Sequence, residues 1–236
     1  MLLRQFITSH TVLRLLAIYI VLILLLDVAG GDLWLAAKLY QWEGNRWSLM
    51  HHWLTEDILH LGARKLNYVL CAAVLITTVY YAVQHRQYPR LARCYVALSA
   101  ALISSFALVA WGKAITNIAC PWDLVSFGGN EPYLHLWQAR PGYLHYHQCF
   151  PAGHASVGYA WVALYYFYRH TAAKWRFVAL VAALFAGILL GIAQQLRGAH
   201  FLSHDVTTLF ICILCAKLSF MVFADTGRQG SKMETH

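Results

Sequence analysis

Three stretches far apart in the chain carry side chains suited to an anionic phosphorus centre. Lys113 follows one apolar run, Pro151-Ala152-Gly153-His154 opens another, and Arg197-Gly198-Ala199-His200-Phe201-Leu202-Ser203-His204-Asp205 lies between two more. Arginine presents a planar fork of donors that matches phosphate oxygens. An imidazole can attack phosphorus when a neighbour holds its other nitrogen. A second histidine, with an ordinary pKa near neutrality, can protonate the departing oxygen. Arg197, His200 and His204 are spaced three, four and seven residues apart, so on a helix they share one face. Pro151 suits a first helical turn, where the free N–H groups at Ala152 and Gly153 favour an anion.

Any one of these residues could be an interface anchor. Three clusters converging on one membrane face are poorly explained that way, because an ionisable group there is costly unless it pairs or lines a wet cavity. The chain also has thirteen histidines, including His51-His52 and His145-Tyr146-His147, which raises the alternative of a membrane cytochrome. Haem requires histidine pairs facing each other inside a bundle, whereas most of these fall in outer loops. A visible absorption spectrum separates the two readings.

The elements that must position these residues follow from composition. The chain is 60% hydrophobic and 12% charged, against about 25% charged in soluble domains. Its apolar residues come in six runs of roughly 18 residues or more, each able to cross about 30 Å of hydrocarbon. They fall at about 12–29, 66–83, 94–111, 151–168, 177–196 and 206–223. The expected fold is all-α, a polytopic bundle of six transmembrane helices. A long loop, 114–150, joins spans three and four. Residues 32–65 are polar but hold Trp34, Trp42, Trp47 and Trp53, which predicts one or two interfacial helices after the first span. One integral-membrane domain covers 1–223, and a polar tail, 224–236, is expected to be disordered.

The net charge of +8 is carried mainly between spans. Arg86, Arg90 and Arg93 occupy one short link, and Arg169, Lys174 and Arg176 another, which places both links and both termini in the cytoplasm. No basic patch points to nucleic acid. The chemistry-bearing clusters then face the periplasm of a bacterial inner membrane. Cys71, Cys94, Cys212 and Cys215 lie in or beside apolar runs, whereas Cys120 and Cys149 stand in the long loop. On the oxidising side of the membrane these two are candidates for a disulfide.

At these residues the sequence resembles the type 2 phosphatidic acid phosphatase superfamily, over roughly residues 113–205. The family's first motif is Lys, six residues, then Arg-Pro; Lys113 is followed at that spacing by Cys120-Pro121. Arg140 is the candidate replacement for the missing cation. The second motif, Pro-Ser-Gly-His, corresponds to Pro151-Ala152-Gly153-His154. The third is Ser-Arg, five residues, His, three residues, Asp. With its histidine on His200, Ala193-Gln194 fall at Ser-Arg and His204 at Asp, with Asp205 one residue later. With its histidine on His204, Arg197 is one residue too distant and Thr208 falls at Asp. The Gly-Ala-His-Phe context favours His200.

The resemblance implies a metal- and cofactor-free reaction on a lipid phosphate or pyrophosphate. His200 is the implied nucleophile and His154 the implied acid, with Asp205 or His204 orienting His200 and Lys113 and Arg197 neutralising the phosphoryl charge. Transfer to another lipid instead of water is an alternative within the family, and a non-catalytic lipid-phosphate binder is another. The residues leave substrate headgroup and oligomeric state open.

Overall fold

Apolar runs become helices because backbone groups in hydrocarbon must bond within their own segment. A computed structural model describes residues 10–225. The expected tail, apart from Ala224 and Asp225, lies outside them, as do Arg4, Arg228 and Lys232. Among the described residues there is no strand, only one isolated bridge between Leu124 and Glu131.

Helix α1, His10–Ile23, runs into a π-helical turn, Leu24–Val28, and α2 spans Gly31–Trp42. Helix α3, Ala63–Val83, is extended at its start by a π-helical segment, Leu54–Gly62. Helix α4 is Pro89–Thr116. Helices α5, Gly153–Tyr159, and α6, Ala163–Thr171, are joined by a 3-10 turn. Helices α7, Arg176–Leu196, and α8, Leu202–Phe220, complete the bundle.

Among the described residues, five helical stretches are long and apolar enough to cross a membrane: His10–Val28, Leu54–Val83, Pro89–Asp123, Ala173–Leu196 and Leu202–Asp225. The chain is therefore a membrane protein. The expected span at 151–168 is not among the five. It is the interrupted pair α5 and α6, and it is central: Ala155, Ala160 and Ala163 are fully buried. A helix wrapped by other helices need not be greasy all round, so small and hydroxyl-bearing residues replace the lipid-facing aliphatics. A second difference concerns residues 54–65, expected on the surface. They are helical and continuous with α3.

Close packing rests on small side chains, which let helix backbones approach. Ala97, Ala101 and Leu98 of α4 join Cys212, Ala216 and Phe220 of α8 and the α5–α6 alanines in the main core. A Cβ placed on Gly158 would stand 2.2 Å from the backbone nitrogen of Gly187, so α5 meets α7 backbone to backbone. Helix α1 leans on α8, where Tyr19 stacks on Phe210 at 4.4 Å. Helix α3 is fastened to α4 by the 2.7 Å hydrogen bond between Thr78 and Ser99.

A second, smaller core lies at the end of the bundle where the long loop folds. Ala36 of α2, Ala119, Leu124 and Phe127 of the loop, and Phe201 are buried together, flanked by Tyr40, Trp47 and Tyr133. Helix α2 is thus locked to the loop through Ala36. Cys120 and Cys149 form a disulfide, with Cα atoms 5.2 Å apart, that ties the two ends of the loop together.

Candidate active site

The C-terminal end of α4, the start of α5 and the turn from α7 to α8 meet beneath the loop. Lys113 lies in the last turn of α4. Its ammonium would be 3.6 Å from a Cβ placed on Gly153, so it stands directly beside the first residue of α5. Pro151 packs on the same helix end, where a Cβ on Gly112 would come within 2.8 Å of the ring. The first two motifs are therefore in contact.

The Ala152 N–H donates to the His204 carbonyl at 3.3 Å, and the Ala152 carbonyl accepts from the Thr208 hydroxyl at 2.9 Å. These bonds pin the start of α5 to α8. They also engage the Ala152 N–H, which the sequence offered to an anion.

The turn between α7 and α8 is narrow because Gly198 adopts φ +70° and faces the Trp47 ring, which a Cβ would meet at 2.4 Å. Arg197, only 5% exposed, is held by three groups. Its Nε donates to the Met50 carbonyl at 2.8 Å, its Nη1 donates to Gln194 Oε1 at 3.3 Å, and its Nη2 stands 3.7 Å from Glu56. The Ser-Arg position of the third motif is thus filled by Gln194 bonded to Arg197.

His200 and His204 are both buried, and their Nδ1 atoms lie 3.4 Å apart. The Cys149 backbone carbonyl interacts with both rings. Burial, and after it the neighbouring Lys113, His204 and His154, hold the His200 imidazole well below its ordinary value of 6.5. A neutral imidazole keeps its lone pair available, as a nucleophile requires.

Asp205 is turned the other way. It accepts from Gln195 at 2.6 Å and sits against Gly191. Of the two groups expected to orient His200, His204 is in place and Asp205 is not, because consecutive helical residues point about 100° apart. Arg140 also lies elsewhere: it forms a 2.5 Å ion pair with Glu131, which His145 also contacts at 3.0 Å. The loop uses this cation for its own folding. Burial pushes Glu131 up, but hydrogen bonds from His145 and His147 and the charge of Arg140 outweigh it and hold the carboxyl below its usual range.

The sulfurs of Cys120 and Cys149 and a carboxylate oxygen of Asp123 lie within 4.8 Å of one another, a spacing suited to a metal. Joined as a disulfide, the sulfurs do not offer thiolates.

A family model described as the PAP2 superfamily matches residues 94–228, more than half of the chain. The chain belongs to the PAP2 superfamily. The match runs from α4 through α8 and so contains Lys113, His154, Arg197, His200 and His204. Members of the superfamily are generally phosphatases or phosphotransferases, often acting on lipid phosphates. No curated protein and no solved structure matches the chain.

Residues outside the matched segment also reach the site. His60 packs on His154 with ring centroids 3.7 Å apart, and Glu56 and Met50 hold Arg197. Their signal in the sequence is the run Glu56, His60, Arg64, ionisable residues four apart immediately before an apolar run, which puts them near one helical face.

Proposed function

We propose that this PAP2 superfamily member is a lipid phosphatase, hydrolysing a lipid phosphate or pyrophosphate at the periplasmic face of a bacterial inner membrane through a phosphohistidine. The observation that carries the reading is the buried His200–His204 pair, in Coulombic range of Lys113 and His154. The His200 nitrogen not turned toward His204 attacks phosphorus, and the bond from phosphorus to the lipid oxygen breaks. The bound anionic headgroup offsets the cations around His154 and lets it take up a proton, which His154 gives to that oxygen. Water then attacks phosphorus and passes a proton to His154 while the phosphorus–nitrogen bond breaks, which releases phosphate and returns both histidines to their starting states. Lys113 and Arg197 offset charge on the transferring group.

A lipid substrate is supported by the surroundings of the site. A cavity of about 360 Å³ beside Asp205 is walled by Leu35, Leu39, Ile188, Ile192, Leu196 and Leu202. Ile188 and Ile192 are about half exposed on the outer surface of α7, so hydrocarbon can reach the cavity's edge. Helix pair α5–α6 extends over residues 153–171, about 28 Å at 1.5 Å per residue, which supports a sixth crossing and both termini on the basic, cytoplasmic side.

The test is phosphate release from a panel of detergent-solubilised lipid phosphates and pyrophosphates in chelator. The wild type should turn over at least one, and H200A and H154A should insert normally and release none. Undiminished release by both variants removes the mechanism. Labelled phosphate appearing on a second lipid instead of in water identifies a phosphotransferase.

A further inference from the structure

The π-helical segment Leu54–Gly62 at the start of α3 projects into the site. Such segments are rare and recur at functional positions, because the extra residue per turn redirects side chains. Here the redirected group is His60. Its ring lies 3.7 Å, centroid to centroid, from that of His154, with the planes inclined by 55°. Its Nδ1 is shut off from solvent and has no hydrogen-bond partner among the described residues. It also stands within Coulombic range of Arg197, Arg64, Glu56 and Lys113.

We propose that His60 is a positioning residue of the reaction, acting through His154 by holding its imidazole in the orientation from which it gives up and recovers its proton. The inference rests on the phosphatase reading above. His154 sits in the first turn of α5, on a side chain with two rotatable bonds. Among the described residues no hydrogen bond fixes its ring, and the His60 ring is the aromatic surface against it. Proton transfer tolerates only about 0.5 Å and 10–20° of misplacement, so a packing partner is functionally necessary there.

The choice of imidazole over an apolar ring is informative. A buried nitrogen without a partner is destabilising, which a phenylalanine ring in the same place would not be. The fold gains nothing from that nitrogen, so the residue is explained by what its ring packs against, His154. The same stretch of chain holds the other key group, since Met50 and Glu56 bind Arg197 and Trp47 closes on Gly198. Residues 47–62 thus contact both His154 and Arg197, and they lie wholly outside the segment matched by the family model.

The experiment is steady-state kinetics of His60→Phe, His60→Gln and His60→Gly on whichever lipid phosphate the wild type hydrolyses, with melting temperature recorded for each. His60→Gln, which removes the ring, should lower kcat by about 100-fold, the scale of a misplaced catalytic group, and leave KM within about threefold, whereas His60→Phe, which keeps an aromatic surface against His154, should retain more of kcat than His60→Gln. Added imidazole should restore part of the kcat of His60→Gly and none of that of H154A. A wild-type kcat in His60→Gln, an effect confined to KM, a His60→Phe variant no more active than His60→Gln, or a His60→Gly variant that melts like wild type yet gains nothing from imidazole overturns the inference. Absence of activity in the wild type itself overturns the phosphatase reading instead.

Discussion

His204 faces His200 nitrogen to nitrogen at 3.4 Å, in the place where the superfamily motif has an aspartate. One helical turn separates the two residues, and both rings are sealed from solvent. One nitrogen donates and the other accepts, so the tautomers of the two rings are coupled, and in the proposed reaction His204 sets that of His200.

His204→Ala should therefore lower kcat by about 100-fold with little change in KM, as loss of an orienting partner does. His204→Asp should retain more activity than His204→Ala, because a carboxylate can accept the same proton. Phosphate-release kinetics on the three proteins decide it. Equal rates in His204→Ala and wild type would leave His200 oriented by something else.

Asp32 gives a pH signature. It is 1% exposed, accepts the Ser203 N–H at 3.0 Å, and burial pushes its carboxyl up to about 6, against the lowering effect of Ser203 and with the charge of Asp27 adding. A carboxyl raised on folding stabilises the protein below its unfolded value of 3.8, and that contribution is lost as pH rises through about 6. Asp32→Asn keeps the acceptor oxygen without the charge. It should gain stability relative to wild type between pH 5 and pH 8, by about 3 kcal/mol at most. Thermal melts of both proteins at those two pH values check the sign.

The disulfide spans 29 residues of loop. Closing a loop of that length is worth about 4 kcal/mol in chain entropy at 25 °C. Reduction, or the double variant Cys120→Ser, Cys149→Ser, should lower the melting temperature and expose the loop to protease. It should also slow turnover, because the Cys149 carbonyl interacts with both His200 and His204. Melting and activity measured with and without reductant test both effects, and the double variant should not respond to reductant.

Gly158→Ala probes the bundle instead of the chemistry. The added methyl would stand 2.2 Å from the Gly187 nitrogen, and a backbone atom cannot rotate away. Overpacking of this kind costs about 1–3 kcal/mol. The melting temperature of the purified protein should fall, and Gly112→Ala, whose methyl would meet a proline ring instead of a backbone atom, should fall less.

The apolar runs and their basic links determined by themselves that this is a helical membrane protein. Motif order along the chain determined which residues meet: Lys113, His154, Arg197, His200 and His204 do gather at one end of the bundle. Local spacing sufficed for those, since each sits at or beside the end of a span. Other assignments depended on rotation and on distance in space. Asp205 and His204 are adjacent in sequence, and only the packing of α8 decides that His204 faces His200 while Asp205 faces Gln195. Arg140 is a cation in the right loop, yet Glu131, nine residues away, takes it. His60 joins His154 across 94 residues; the four-residue spacing of Glu56, His60 and Arg64 gives them a shared face, but not the partner that the π-helical segment turns His60 toward. A linear pattern specifies which groups can reach a membrane face. Which way each side chain turns there is settled by long-range packing, in which every helix constrains the rotation of its neighbours.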